Sequence, residues 1–220
     1  LRLVACSFCD LEKKEWLAAG LCGALLSATR PTGVLIFFPL LVKMITSYDA
    51  DKKSLPSLAR HIFSDEKKIL ALSVVPLGLF SYATYLYFLV GDPFAFKNVE
   101  IAWDRDFSNP LIVLYKGLTG SMAHKYLAFW GILGMACSAY LYHNKKYSEA
   151  IFGFVLITIS ASTAVFSLQR YFIGSFVLVL ALSDIIGKSN SIKWPGTCFM
   201  CSMNVLLLFL WFLGKHSVMQ

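Results

Sequence analysis

Polar residues in this chain come in bunches, and the apolar stretches between them are long. Ile69–Gly91, Tyr126–Tyr142, Ala150–Gln169 and Trp194–Gly214 contain no charged residue. A helix needs about 20 apolar residues to cross the hydrocarbon of a bilayer, so each run is read as a spanning helix. Tyr171–Ser183 is shorter and reaches that length by continuing through Asp184 to Gly187. Two more apolar stretches, Leu17–Thr29 and Val34–Thr46, flank Arg30-Pro31-Thr32-Gly33, with Lys43 interrupting the second. The fold class expected is all-α: a polytopic integral membrane helical bundle.

The segment around Arg30 predicts two short helices meeting at a break rather than one long kinked helix. Pro31 disfavours helical geometry at Arg30 and has no backbone N–H to donate, while Gly33 permits a turn. At membrane depth such a break is tolerated only under a cover of protein or beside a wet cavity.

Composition agrees with this picture. The chain is 57% hydrophobic and 15% charged, against roughly 25% charged in ordinary soluble domains. Its net charge of +7 does not point to nucleic acid, because the cations form short clusters between apolar runs: Lys13-Lys14, Lys52-Lys53, Lys67-Lys68, Lys145-Lys146, and Lys188 with Lys193. Clusters so placed mark cytoplasmic loops. With them inside, 47–68 is a cytoplasmic linker, 69–90 crosses outward and 91–125 forms an outer or lumenal loop. The 126–142 helix returns, 148–168 crosses outward to Gln169-Arg170, 171–186 returns, and 195–214 crosses last. The first residues, LRLVACSFC, read as the tail of another apolar segment. Residues 1–220 are therefore expected to be a single transmembrane domain within a longer protein whose N-terminal region is missing.

Arg30 is the first candidate site residue, since an arginine near a membrane helix break is costly unless partnered, and its planar fork suits phosphate. Gln169-Arg170-Tyr171 is the second, a polar pair read as a tight outer turn where arginine can hold a lipid phosphate at headgroup depth. The third lies in the outer loop: Gly91-Asp92-Pro93-Phe94-Ala95-Phe96, then Trp103-Asp104-Arg105-Asp106. There Trp103 could stack on a sugar or sit in the aromatic belt, and the carboxylates could bind hydroxyls. Cys6/Cys9 and Cys198/Cys201 have metal-ligand spacing but sit in apolar sequence without histidine support, so no metal site is assigned. No nucleotide-binding motif is present, no nucleotide cofactor is expected, and a divalent-metal requirement is left open.

In their order and spacing, the motifs Ala24 to Gly33, Gly91 to Phe96 with Trp103 and Arg105, and Gln169-Arg170-Tyr171 resemble the PIG-V-type mannosyltransferase family. These are GPI mannosyltransferase 2-like enzymes of the GT-C class, and the compact outer loop is closer to the shorter, prokaryotic-type members. The resemblance implies a GT-C-like transmembrane domain that moves a sugar, mannose in most members, from a polyprenyl- or dolichyl-phosphate donor. The acceptor would be a lipid or glycan on the outer or lumenal side. It implies residence among the membrane lipids of a bacterial inner membrane or the endoplasmic reticulum. The catalytic aspartate is expected upstream of residue 1, with Asp92 a weak candidate. Arg30, Trp103, Arg105, Gln169 and Arg170 would bind substrate. The alternatives are a lipid flippase or secondary transporter, and a non-catalytic membrane subunit.

Overall fold

The computed structural model describes residues 2–47, 65–101, 108–163 and 167–188, together with 194–198, 201–202, 205 and 209. The fold is all-α, with no strand among the described residues. The 48–64 part of the expected linker, Trp103, Arg105 and most of the Trp194–Gly214 run lie outside them.

The first half of the chain is built on a close helix pair. α1 (Arg2–Glu12) leads to α2 (Trp16–Thr29), a 3-10 turn (Pro31–Ile36) and α3 (Phe37–Thr46), and then to the long α4 (Glu66–Val90). α2 and α4 run parallel: Gly20 lies against Ala71, Gly23 against Val75 and Ala24 against Gly78. A Cβ on Gly20 would come within 2.7 Å of the Ala71 Cα, so the glycine is what lets the two backbones touch. Ser27 donates across the seam to the Val75 carbonyl at 2.6 Å. Small residues at the contact and a serine bond between helices are how helices pack where water supplies no hydrophobic drive.

Beyond α4 come α5 (Ala95–Ile101), α6 (Pro110–Thr119), α7 (Met122–His143), α8 (Tyr147–Thr163), α9 (Leu168–Gly174) and α10 (Phe176–Gly187). The 91–125 stretch, expected as a loop, therefore carries two short helices. Asn109 caps α6 by accepting from the Leu111 N–H at 2.9 Å, with Pro110 at its first position. α7 and α8 are antiparallel neighbours: Gly134 meets Ile157, and Gly153 meets Ser138. α9 and α10 follow α7, with Leu168 at Gly131, Phe172 at Gly134 and Leu178 against Gly153. α1 joins the halves, since Phe8 sets its ring edge-on to Phe152 and Phe176 at 5.6 Å each.

Among the described residues one helix, Glu66–Val90, is long and apolar enough to cross a membrane, and a second span is counted if the bent pair α9–α10 is taken as one. α7 has the length, but its tyrosines, Trp130 and His143 dilute its apolar character. α4 is not a buried core helix. Only Ala71, Val75, Gly78 and Lys68 are buried along it, while Phe80 is 66% and Phe88 81% exposed. Each such side chain gains about 1.5–3 kcal/mol on leaving water, so this face is suited to hydrocarbon.

Topology has a direct test. Single cysteines at Ser108 and Asn144, in a cysteine-free background, are expected to react with an impermeant maleimide from opposite sides of the membrane. Labelling of both from one side would overturn the assigned orientation.

Candidate functional site

The break at Arg30 is made by local chemistry. α2 ends at Thr29, and Arg30 is extended (φ −148, ψ 131) ahead of Pro31. The last turn is closed internally: the Arg30 N–H and the Thr29 hydroxyl both donate to the Leu26 carbonyl, at 3.0 and 2.8 Å. The Gly33 N–H donates to the Arg30 carbonyl at 2.8 Å. A Cβ on Gly33 would run into the Leu26 carbonyl, so glycine lets the 3-10 turn fold back over the end of α2. Gly33, Leu35 and Ile36 are buried, which supplies the protein cover an irregular backbone needs at membrane depth.

Because α2 and α4 are parallel, the break falls beside the C-terminal half of α4. At 1.5 Å per residue that is roughly 10 Å short of its end at Val90. The Arg30 guanidinium is exposed and makes no ion pair among the described residues. It also stands where the 3-10 turn begins.

Gln169 and Arg170 are not at a turn. They lie inside α9, just past the connection from α8, which ends at Thr163, and the chain bends again at Ser175, where α9 and α10 meet at 78°. Glutamine and arginine are good helix formers, so nothing local stops the helix at 169–170. Arg170 is exposed, forms no ion pair among the described residues, and holds its guanidinium 5.8 Å from the Tyr171 ring centroid. Gln169 is half-buried beside it.

Two neighbours of this segment were missed from sequence. Tyr126 and Trp130 stack edge-to-face at 6.1 Å, and Trp130 lies 5.2 Å from Phe172, two residues past Arg170. The Tyr126 hydroxyl, the Trp130 indole N–H and the Ser167 hydroxyl are buried without a hydrogen-bond partner among the described residues. Buried polar groups are usually satisfied, so donors left open beside the Arg170 helix are suited to donating to a ligand's oxygens. The i,i+4 spacing of Tyr126 and Trp130 was the available signal, but it equally describes an aromatic core face.

Asp92 has another occupation. Gly91 ends α4 in the left-handed region (φ 76). One Asp92 oxygen then accepts from the Phe94 N–H at 2.8 Å, and the other from the Asn98 amide at 2.6 Å. Both oxygens thus organise the turn, which accounts for an aspartate here without a catalytic role.

The structure brings the 91–125 stretch near the Arg170 segment, since the Ser108 N–H donates to the Ser162 carbonyl at 2.7 Å, at the end of α8. It shows no contact between Arg30 and Arg170. No cluster of three metal-ligating side chains occurs among the described residues, and Cys6, Cys9, Cys198 and Cys201 are exposed free thiols. Away from these segments, the Tyr140 hydroxyl bonds Asp184, and Lys188 lies 4.7 Å from the Tyr140 ring. Tyr140, with Asp184 contributing less, holds the Lys188 ammonium above its ordinary range. This cluster ties α7 to α10.

Comparison with family models, curated proteins and solved structures returns no match.

Proposed function

We propose that this chain belongs to a polytopic membrane glycosyltransferase of the PIG-V type, in a bacterial inner membrane or the endoplasmic reticulum. It would move a sugar, mannose by that resemblance, from a polyprenyl- or dolichyl-phosphate donor to a lipid or glycan acceptor on the outer side. The observation that carries the reading is Arg30: an exposed guanidinium without an ion pair among the described residues, at a built helix break within the length of α4. A lipid phosphate is the anion available at that depth, and a guanidinium can grip it through two parallel hydrogen bonds.

In this mechanism a carboxylate deprotonates the acceptor hydroxyl, which attacks the anomeric carbon. The lipid phosphate leaves, and Arg170, with Arg30, stabilises its growing charge. Gln169 supports Arg170, and Trp103 and Arg105 shape the sugar pocket.

Arg30→Leu in the full-length protein is expected to insert normally and to lose most sugar transfer from a radiolabelled polyprenyl-phosphate sugar in liposomes. Loss of the protein from the membrane, with no separable loss of activity, would make Arg30 structural. The second reading, a lipid flippase or secondary transporter, draws on the break at Arg30 and the 78° bend between α9 and α10. It takes over if the wild-type protein transfers no sugar but moves lipid between leaflets.

A further inference from the structure

An apolar groove of about 350 Å³ runs along the last turns of α4, walled by Phe80, Ala83 and Phe88 and roofed by Phe94 and Phe96. We propose that it seats one hydrocarbon chain of an anionic bilayer phospholipid, a lipid distinct from the one whose phosphate meets Arg30. Position is the first argument. Helical residues advance about 100° each, which puts the lining residues Phe80 and Tyr87 roughly opposite Gly78, the residue that touches α2. The groove therefore opens on the face of α4 turned away from α2 and Arg30. One hydrocarbon chain cannot readily follow both faces of the helix.

The occupant follows from the surroundings. The groove is cut into the one described helix that is both long and apolar enough to cross a bilayer, continuous with its exposed apolar face. What covers that face in a bilayer is hydrocarbon. Thr84 turns no free hydroxyl into the groove, because its Oγ1 donates to the Phe80 carbonyl at 2.8 Å. The roof is held in place rather than draped. Gly91 reverses the chain, Asp92 fixes Phe94 and Asn98, and the Phe96 ring lies 6.0 Å from that of Tyr82. The polar end matches a phospholipid. Lys97, next to the roof residue Phe96, is exposed and makes no ion pair among the described residues. Its ammonium, beside the roof of the groove, attracts a phosphodiester.

The proposal rests on membrane residence and not on sugar transfer. Full-length protein would be reconstituted in phosphatidylcholine liposomes containing phosphatidylglycerol with a mid-chain diazirine, photolysed, and mapped by peptide mass spectrometry. Adducts are expected on 79–96 well above those on Leu21 and Leu25, which are as exposed, at 58% and 59%, but do not line this groove. Ala83→Trp and Thr84→Phe, each filling the groove, are expected to cut that adduct about fivefold, the factor that about 1 kcal/mol of lost binding produces. Labelling at Leu21 and Leu25 should not change. Equal labelling at the two places, or indifference to both substitutions, overturns the groove even if the protein transfers sugar. Protein that washes off the liposomes in alkaline carbonate overturns the membrane residence beneath it.

Discussion

Arg170→Ala is expected to slow sugar transfer by about 2–4 kcal/mol in activation free energy, on the order of 30- to 1,000-fold, by analogy with removal of an oxyanion donor. The phosphate of a lipid-linked donor becomes more negative as the sugar bond breaks, so a cation aimed at it favours the transition state over the ground state. Arg170 is free to do this, since it is exposed and makes no ion pair among the described residues. Its helix is held by Leu168 and Phe172, both buried against α7. Arg170→Lys keeps the charge but loses the fork, and should retain more activity than the alanine variant while falling short of wild type. The comparison is initial rate from a radiolabelled polyprenyl-phosphate sugar at matched protein levels. Wild-type turnover by Arg170→Ala would remove the phosphate role and leave Arg170 as a surface residue stacked on Tyr171.

Gly78→Leu is expected to give the largest loss of stability. A Cβ on Gly78 would meet the Ala24 carbonyl and the Ser27 hydroxyl, and a backbone carbonyl inside a helix cannot turn aside as a side chain can. Relief requires α2 and α4 to separate, which breaks the Ser27 bond to Val75 and opens the contacts at Gly20 and Gly23. Overpacking a tight seam costs about 1–3 kcal/mol, and a branched side chain against backbone belongs at the upper end or beyond. Gly174→Ala is the control, because a Cβ there meets nothing within 4 Å. Thermal unfolding and the monodisperse fraction in detergent would read both. A Gly78→Leu protein as stable as wild type would mean that the α2–α4 seam does not hold the first half of the chain together.

How legible each element was depends on where its cause lies. The ends of α4 were plain in the sequence to within a few residues, because the charged run before Ile69 and the Gly91-Asp92-Pro93 turn are local. The break at Arg30 was plain for the same reason: Pro31 forbids a helical bond, and Gly33 alone fits under the Leu26 carbonyl. The helices at Ala95–Ile101 and Pro110–Thr119 were not seen. They are short, and short helices owe their stability to packing more than to propensity.

By itself, the sequence determined that this chain is helical, that the 69–90 run forms a helix apolar for a length suited to a bilayer, and where Arg30 breaks the helical path. These follow from hydrophobic runs and from the backbone chemistry of proline and glycine, which act over a few residues. The tertiary structure decided which helices touch, and with that the fate of the candidate residues. Gln169 and Arg170 fall within the first turn of α9, whose Leu168 and Phe172 dock on α7, and a second bend lies at Ser175, between Phe172 at Gly134 and Leu178 at Gly153. Asp92 became a turn-former because Asn98, six residues on, comes back to it. Contacts made between helices depend on side-chain shapes far apart in the chain, and no local pattern encodes which of them will meet.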